Sequence, residues 1–128
     1  MTLHAIIIDD NIQNTSILAQ LLSEQNITST QLNNPRHLDA TLQQLICVHL
    51  VFLDLEMPGL NGYEVLNKLK SAPMLKNAPI VAYTVHTSEI NEAYRHGFHS
   101  FIGKPVDPDR FPDQLIRILS GEPVWETT

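Results

Sequence analysis

Cysteine is almost absent from this 128-residue chain: Cys47 stands alone, so no internal disulfide can form. A fold held by cross-links is thereby excluded, and a single thiol fits a reducing compartment. Basic residues are scarce as well, with 8 Lys and Arg against 14 Asp and Glu, for a net charge of −6 and a pI near 5.3. No Lys/Arg cluster exists to track a phosphate backbone, which argues against direct nucleic-acid binding. No apolar run approaches the length of a membrane span. The N-terminal one is short, lacks a basic leader and ends in acids, unlike a signal peptide. Internal repeats and low-complexity segments are missing too. What is present is a 43% hydrophobic chain, enough for one real core. We read it as one soluble, cytoplasmic domain over residues 1–121, followed by a short tail, 122–128. Cys47, in the apolar stretch Leu45-Ile46-Cys47-Val48, is expected to be buried.

The acids carry the strongest signal. Asp9 and Asp10 end the apolar run Leu3-His4-Ala5-Ile6-Ile7-Ile8, and Asp54 ends a second, Leu50-Val51-Phe52-Leu53. Both runs have the aliphatic, β-branched content of strands buried on both faces of a parallel sheet. The carboxyl ends of such strands form the binding edge, so the three acids should converge on one small site. Carboxylates so placed repel, at roughly 3 kcal/mol per pair for ~5 Å and an effective dielectric of ~20. A structural role does not require that cost; a hard divalent cation does. Magnesium is the natural candidate, because it prefers oxygen ligands and keeps positions open for water and phosphate.

Strand-like and helix-like segments alternate five times along the chain. Ile12, Ile17-Leu18 and Leu21-Leu22 recur at helical spacing up to about Asn26. Ile27 to Leu32 reads as a Thr-rich edge strand. Asn34-Pro35 has the capping residue and proline of a helix start, and Leu38, Leu42 and Leu45-Ile46 then share a face. After the strand ending at Leu55 comes a loop through Pro58, Gly59 and Gly62, then a helix carrying Val65, Leu66 and Leu69. Pro79 to Thr84 is the fourth strand, Ser88 to His96 a short helix stopped by Gly97, and Ser100 to Gly103 the fifth strand. The last helix should start near Asp109, since Pro112 is tolerated only in a first turn, with Phe111, Leu115 and Leu119 on one face. This alternation predicts a doubly wound α/β domain.

Four strand tips then deliver chemistry: Asp9-Asp10, Asp54, Thr84 and Lys104. A carboxylate that attacks phosphorus, a metal and a lysine that offset phosphoryl charge, and a hydroxyl donor are what acyl-phosphate formation needs. Here the sequence resembles the receiver domain of bacterial two-component response regulators, of the single-domain chemotaxis-regulator type. The resemblance spans Leu3 to about Leu119. It rests on Asp9-Asp10, on Asp54 with Met57-Pro58-Gly59 and Gly62, and on Thr84, Phe101 and Lys104-Pro105, each in order at its strand tip. It implies a flavodoxin-like, five-stranded parallel sheet of order 2-1-3-4-5 with five helices. It also implies that Asp54 is the phosphoacceptor for a sensor histidine kinase or phosphotransfer protein. Mg²⁺ would be held by Asp9, Asp10, Asp54 and the Glu56 backbone carbonyl. Lys104 and Thr84 would bind the phosphoryl group, Thr84 and Phe101 would form the switch, Pro105 would follow a cis peptide, and Glu56 and His86 would tune phosphoryl lifetime. A downstream protein target, or a second copy, would dock on the 88–119 face.

Blander readings explain less. A helix cap needs one acid, not the Asp9-Asp10 pair. His86, His96 and His99 lack zinc-site spacing and read as solvated. Two departures from the family stand out: Val85 where a small residue is usual, and Phe101 where tyrosine is more frequent. The competing class is a Mg²⁺-dependent phosphohydrolase with an aspartyl nucleophile. Enzymes of the haloacid-dehalogenase type place Asp-x-Asp on one strand, whereas here the first-strand acids are adjacent and Asn11 follows. A receiver fragment of a hybrid kinase or phosphorelay is the other alternative, against which Met1 and the short tail weigh toward a stand-alone regulator. We therefore expect a signalling module, not an enzyme acting on other molecules.

Overall fold

Ile6, Ile7 and Ile8 are all fully buried although successive strand residues face opposite sides of a sheet, so both faces must be covered. The computed structural model describes residues 2–45 and 47–127. In it β1 (Leu3–Ile8), β2 (Ile27–Leu32), β3 (Leu50–Leu53), β4 (Ile80–Thr84) and β5 (Ser100–Gly103) are parallel in the order 2-1-3-4-5. The expected topology holds. One element was not foreseen: β6 (Trp125–Glu126) pairs in parallel with the outer edge of β5 and makes the sheet six-stranded. Part of the segment expected to be a plain tail is therefore sheet.

The helices divide between the faces. Leu18 and Leu22 of α1 (Ile12–Glu24) and Phe111, Leu115 and Ile118 of α5 (Phe111–Leu119) bury against one side. Leu38 of α2 (Leu38–Gln44), Val65, Leu66 and Leu69 of α3 (Gly62–Lys70) and Ala93 of α4 (Ile90–His96) bury against the other. Phe52, on β3, packs its ring 6.1 Å from Phe111 and 6.3 Å from Tyr83, tying α5 to the sheet centre.

Several local expectations shift. Asn34 caps as predicted, its side chain accepting from the Arg36 N–H at 3.1 Å, but the capped turn is 3₁₀ (Pro35–His37) and α2 starts only at Leu38. A similar turn, Thr87–Glu89, precedes α4, and α5 begins two residues beyond Asp109 with Pro112 in its first turn. Leu119 is only partly buried; Ile118 takes the fully buried position instead. Gly97 ends α4 with φ +93°, as expected of a left-handed cap. Ile12 and Ile17 face outward, 66% and 57% exposed, because α1 buries the Thr15–Leu18–Leu22 stripe.

Cys47 is a correction: it is exposed, its Sγ 3.4 Å from His49 Nε2. The backbone turns extended at Leu45, so the stretch is a connector, with Val48 buried in the core and Leu45 partly buried against it. Ile46, assigned to the apolar face of α2, lies outside the described residues, as do Met1 and Thr128. Among the described residues, no helix is long and apolar enough to cross a membrane.

Candidate functional site

Strand register brings the acids together. Ile8 pairs with Leu53, so Asp9 and Asp54, each one residue further on, leave the sheet side by side, and the Asp54 N–H donates to the Ile8 carbonyl at 2.9 Å. Carboxylate oxygens of Asp9, Asp10 and Asp54 all lie within 4.8 Å of one another. Asp9 and Asp54 are buried and Asp10 is exposed. Asn11 follows at once as the cap of α1, its side chain accepting from the Asn14 N–H at 3.0 Å while its own N–H donates to Asp9 Oδ1 at 2.9 Å. Asn33 fixes the same corner by donating to the Asp9 carbonyl at 2.9 Å and to Thr15 Oγ1 at 3.0 Å.

The opposing charge arrives from β5. Thr84 pairs with Gly103, and the next N–H, of Lys104, donates to the Thr84 carbonyl at 2.9 Å. The ammonium of Lys104, its side chain 7% exposed, then sits 2.6 Å from Asp9 Oδ2 and 3.5 Å from Asp54 Oδ2. It also lies 4.6 Å from the centre of the Tyr83 ring. Sequence reasoning missed Tyr83. Its neighbour Thr84 marked the tip, but an aromatic on a buried strand reads as core unless the lysine's direction is known. The Lys104–Pro105 peptide is cis, as anticipated.

Burial raises the Asp54 carboxyl to about 6 from an ordinary 3.8; Lys104 and the Glu56 N–H, which donates to Asp54 Oδ1 at 3.1 Å, oppose the rise, and Asp9 adds to it. Burial also raises the Tyr83 hydroxyl, assisted by Asp9 and Asp54. An anion-rich, partly buried pocket with one ammonium is short of positive charge, and hard oxygen donors suit a hard cation. The three carboxylates fit a metal.

A family model for the response regulator receiver domain matches residues 5–116. The chain belongs to that family. Similar proteins include the two-component response regulator ORR5 of Oryza sativa subsp. japonica, 25% identical over 118 residues, covering 91% of this chain and 88% of that protein. The two-component response regulator ARR17 of Arabidopsis thaliana is 28% identical over 118 residues, covering 81% of this chain and 76% of its own. Among solved structures, the chemotaxis response regulator CheY4 of Vibrio cholerae superposes with a TM-score of 0.80 at 21% identity, over 92% of this chain and 99% of that one. That likeness speaks for the flavodoxin-like fold, and the family match for phosphoryl-accepting signalling.

Thr84 is fully buried, its Oγ1 accepting from the His86 N–H at 3.2 Å. Phe101 is fully buried, in register between Ala82 on β4 and Trp125 on β6. Glu56 and His86 face each other across the entrance, Oε2 to Nε2 3.1 Å, both half exposed. Glu56 begins a small hairpin, Glu56–Met57 against Leu60–Asn61, turned at Gly59 with φ +76°. Val85 stands 60% exposed beside this entrance. His96 stacks on Tyr63 at 4.0 Å and His99 bonds Ser100 Oγ at 2.8 Å. Neither belongs to a possible metal cluster among the described residues. A cavity of about 280 Å³ opens beside Asp10, lined by Asn33, Arg36, Pro58 and Gly59.

Proposed function

We propose that this receiver accepts a phosphoryl group on Asp54 from a histidine kinase or phosphotransfer protein, using Mg²⁺, and so changes the partner-binding character of its 88–119 face. The observation that carries this reading is the buried Asp54 carboxyl, with Lys104 at 3.5 Å and two further carboxylates in reach. A carboxylate oxygen of Asp54 attacks phosphorus, the phosphorus–nitrogen bond of the donor phosphohistidine breaks, and the leaving imidazole takes up a proton. Asp9, Asp10, Asp54 and the Glu56 backbone carbonyl would hold Mg²⁺, which would supply positive charge against the phosphoryl oxygens. Lys104 offers its ammonium to the same oxygens, and Thr84 its hydroxyl. Glu56 and His86, paired over the entrance, govern how readily water reaches the acyl phosphate. The lone cysteine suits a reducing cytoplasm.

The modification adds about −1.5 to −2 charges and three strong acceptors at Asp54. Thr84 is drawn toward it, and Phe101, on the adjacent strand, moves into the volume that Thr84 leaves. The face formed by α4, β5 and α5 changes in consequence, and a downstream protein or a second copy binds there. The chain acts on no other substrate and catalyses only its own phosphorylation and dephosphorylation. With Mg²⁺ and acetyl phosphate it should take up one phosphoryl group per chain and release it slowly. Steady turnover of p-nitrophenyl phosphate at ordinary enzyme rates, ~1 s⁻¹ or faster, would overturn the reading in favour of a phosphohydrolase.

A further inference from the structure

Two residues make a very short strand, and β6 is held in place by more than its ladder. The Val124 carbonyl accepts from the Phe101 N–H at 2.7 Å, and the Val124 N–H donates to Ser100 Oγ at 2.9 Å, with the Val124 side chain buried. Trp125 meets the Tyr94 ring of α4 edge-on at 5.4 Å and packs on the core cluster that contains Phe101. On the α5 side, Glu126 accepts from Arg110 at 2.7 Å, Gln114 at 2.7 Å and Arg117 at 2.9 Å. Gly103 lies so near the Thr127 carbonyl that a Cβ there would collide with it. All these contacts fall on one face, α4–β5–α5, the face that the proposed switch addresses.

The register also supplies a route. Gly103 is paired with Thr84, Phe101 with Ala82, and Trp125 with Phe101. A displacement of Thr84 that draws Phe101 inward removes the apolar support directly beneath Trp125. The anchor is moreover incomplete, since Gln114 Oε1 is buried with no hydrogen-bond partner among the described residues. Once vacated, the edge of β5 offers unpaired backbone groups to an added strand, flanked by the apolar seat of Trp125 and the donors of Gln114 and Arg117. A carboxylate is the matching ligand for those donors.

We propose that residues 123–127 are a strap that occupies the α4–β5–α5 face of the unmodified protein and is released when Asp54 carries a phosphoryl group, and that the bared face then takes an extended, acidic segment of a partner protein in the strap's place. The inference rests on Asp54 being the phosphoacceptor. While the strap is seated, a partner competes with a tethered segment, whose effective concentration is of millimolar order.

Trp125 is the sole tryptophan of the chain, so its fluorescence reports the strap in the intact protein. Beryllofluoride with Mg²⁺, a phosphoryl mimic, should shift the amide NMR signals of the Asp54 loop. The same addition should move Trp125 emission to the red and increase its quenching by acrylamide. A fluorescein-labelled peptide of residues 121–127 should bind more tightly under those conditions, by about 5- to 150-fold, the usual range of coupling. Glu126→Gln should show the quenching of the activated protein without the mimic, while its Asp54 loop still responds to it. Loop shifts with Trp125 quenching and peptide affinity unchanged, or with quenching reduced, would overturn the strap and leave the receiver reading intact. A silent loop would remove that reading and the strap together.

Discussion

Asp54→Asn should abolish phosphoryl uptake and, in metal-free buffer at pH 8, yield a protein more stable than the wild type. The first effect is loss of the attacking carboxylate; the second comes from the burial that raises the Asp54 carboxyl from 3.8 to about 6. Between those values the folded chain holds a proton that the unfolded chain has released, so the stability contributed by this group is full below pH 3.8 and lost as pH rises through about 6. A shift of that size corresponds to about 3 kcal/mol. The amide has the same shape and no charge, so D54N escapes the loss. Urea unfolding in EDTA should place D54N above wild type by up to about 3 kcal/mol at pH 8, with the gap closing toward pH 4. Mg²⁺ should narrow or reverse the gap by stabilising the wild type more than D54N, and its affinity for the wild type should weaken below pH 6 as Asp54 takes up a proton. A D54N protein that is less stable than wild type at pH 8 would mean that Lys104 outweighs burial at this carboxyl.

Lys104→Met should produce the second large effect, in the opposite direction. The ammonium is the only positive group bonded to the buried acids, at 2.6 Å from Asp9 and 3.5 Å from Asp54 among the described residues. Removing one partner of a buried ion pair leaves uncompensated charge and costs about 3–5 kcal/mol. Loss of the contact with the Tyr83 ring adds to it. The destabilisation should be largest at pH 8 without metal and smaller at pH 5, where the carboxyls can protonate. Saturating Mg²⁺ should recover part of it, roughly 2.7 kcal/mol at a hundredfold excess over the dissociation constant. Thermal melts at the two pH values, with and without MgCl₂, measure all of this. Equal melting of wild type and K104M in EDTA at pH 8 would contradict the charge balance described for the site.

How much of this was written in the chain differs from place to place. The sheet was legible because β3, β4 and the Ala5–Ile8 part of β1 are buried on both faces, so they lack polar alternation and their ends are marked by Asp9, Asp54 and Thr84. The site was legible for the same reason: parallel register carries a strand-end residue to a fixed edge whatever the loops do. Features set by side-chain direction were not. Tyr83 beneath Lys104 depends on how a lysine folds back from the next strand, and exposed Cys47 depends on where α2 stops. β6 was hidden most deeply. Val124-Trp125 is too short an apolar run to signal a strand, and it pairs only because β5 leaves an edge open and Glu126 finds its donors on α5.

The most direct test of the account is the position of the phosphoryl group. Wild-type protein incubated with acetyl phosphate and Mg²⁺ should gain a single acid-stable, base-labile phosphoryl mass. Proteolysis should map that mass to the peptide containing Asp54, and EDTA should prevent its appearance. The same mass on D54N, or on a histidine or serine peptide of the wild type, would contradict the assignment.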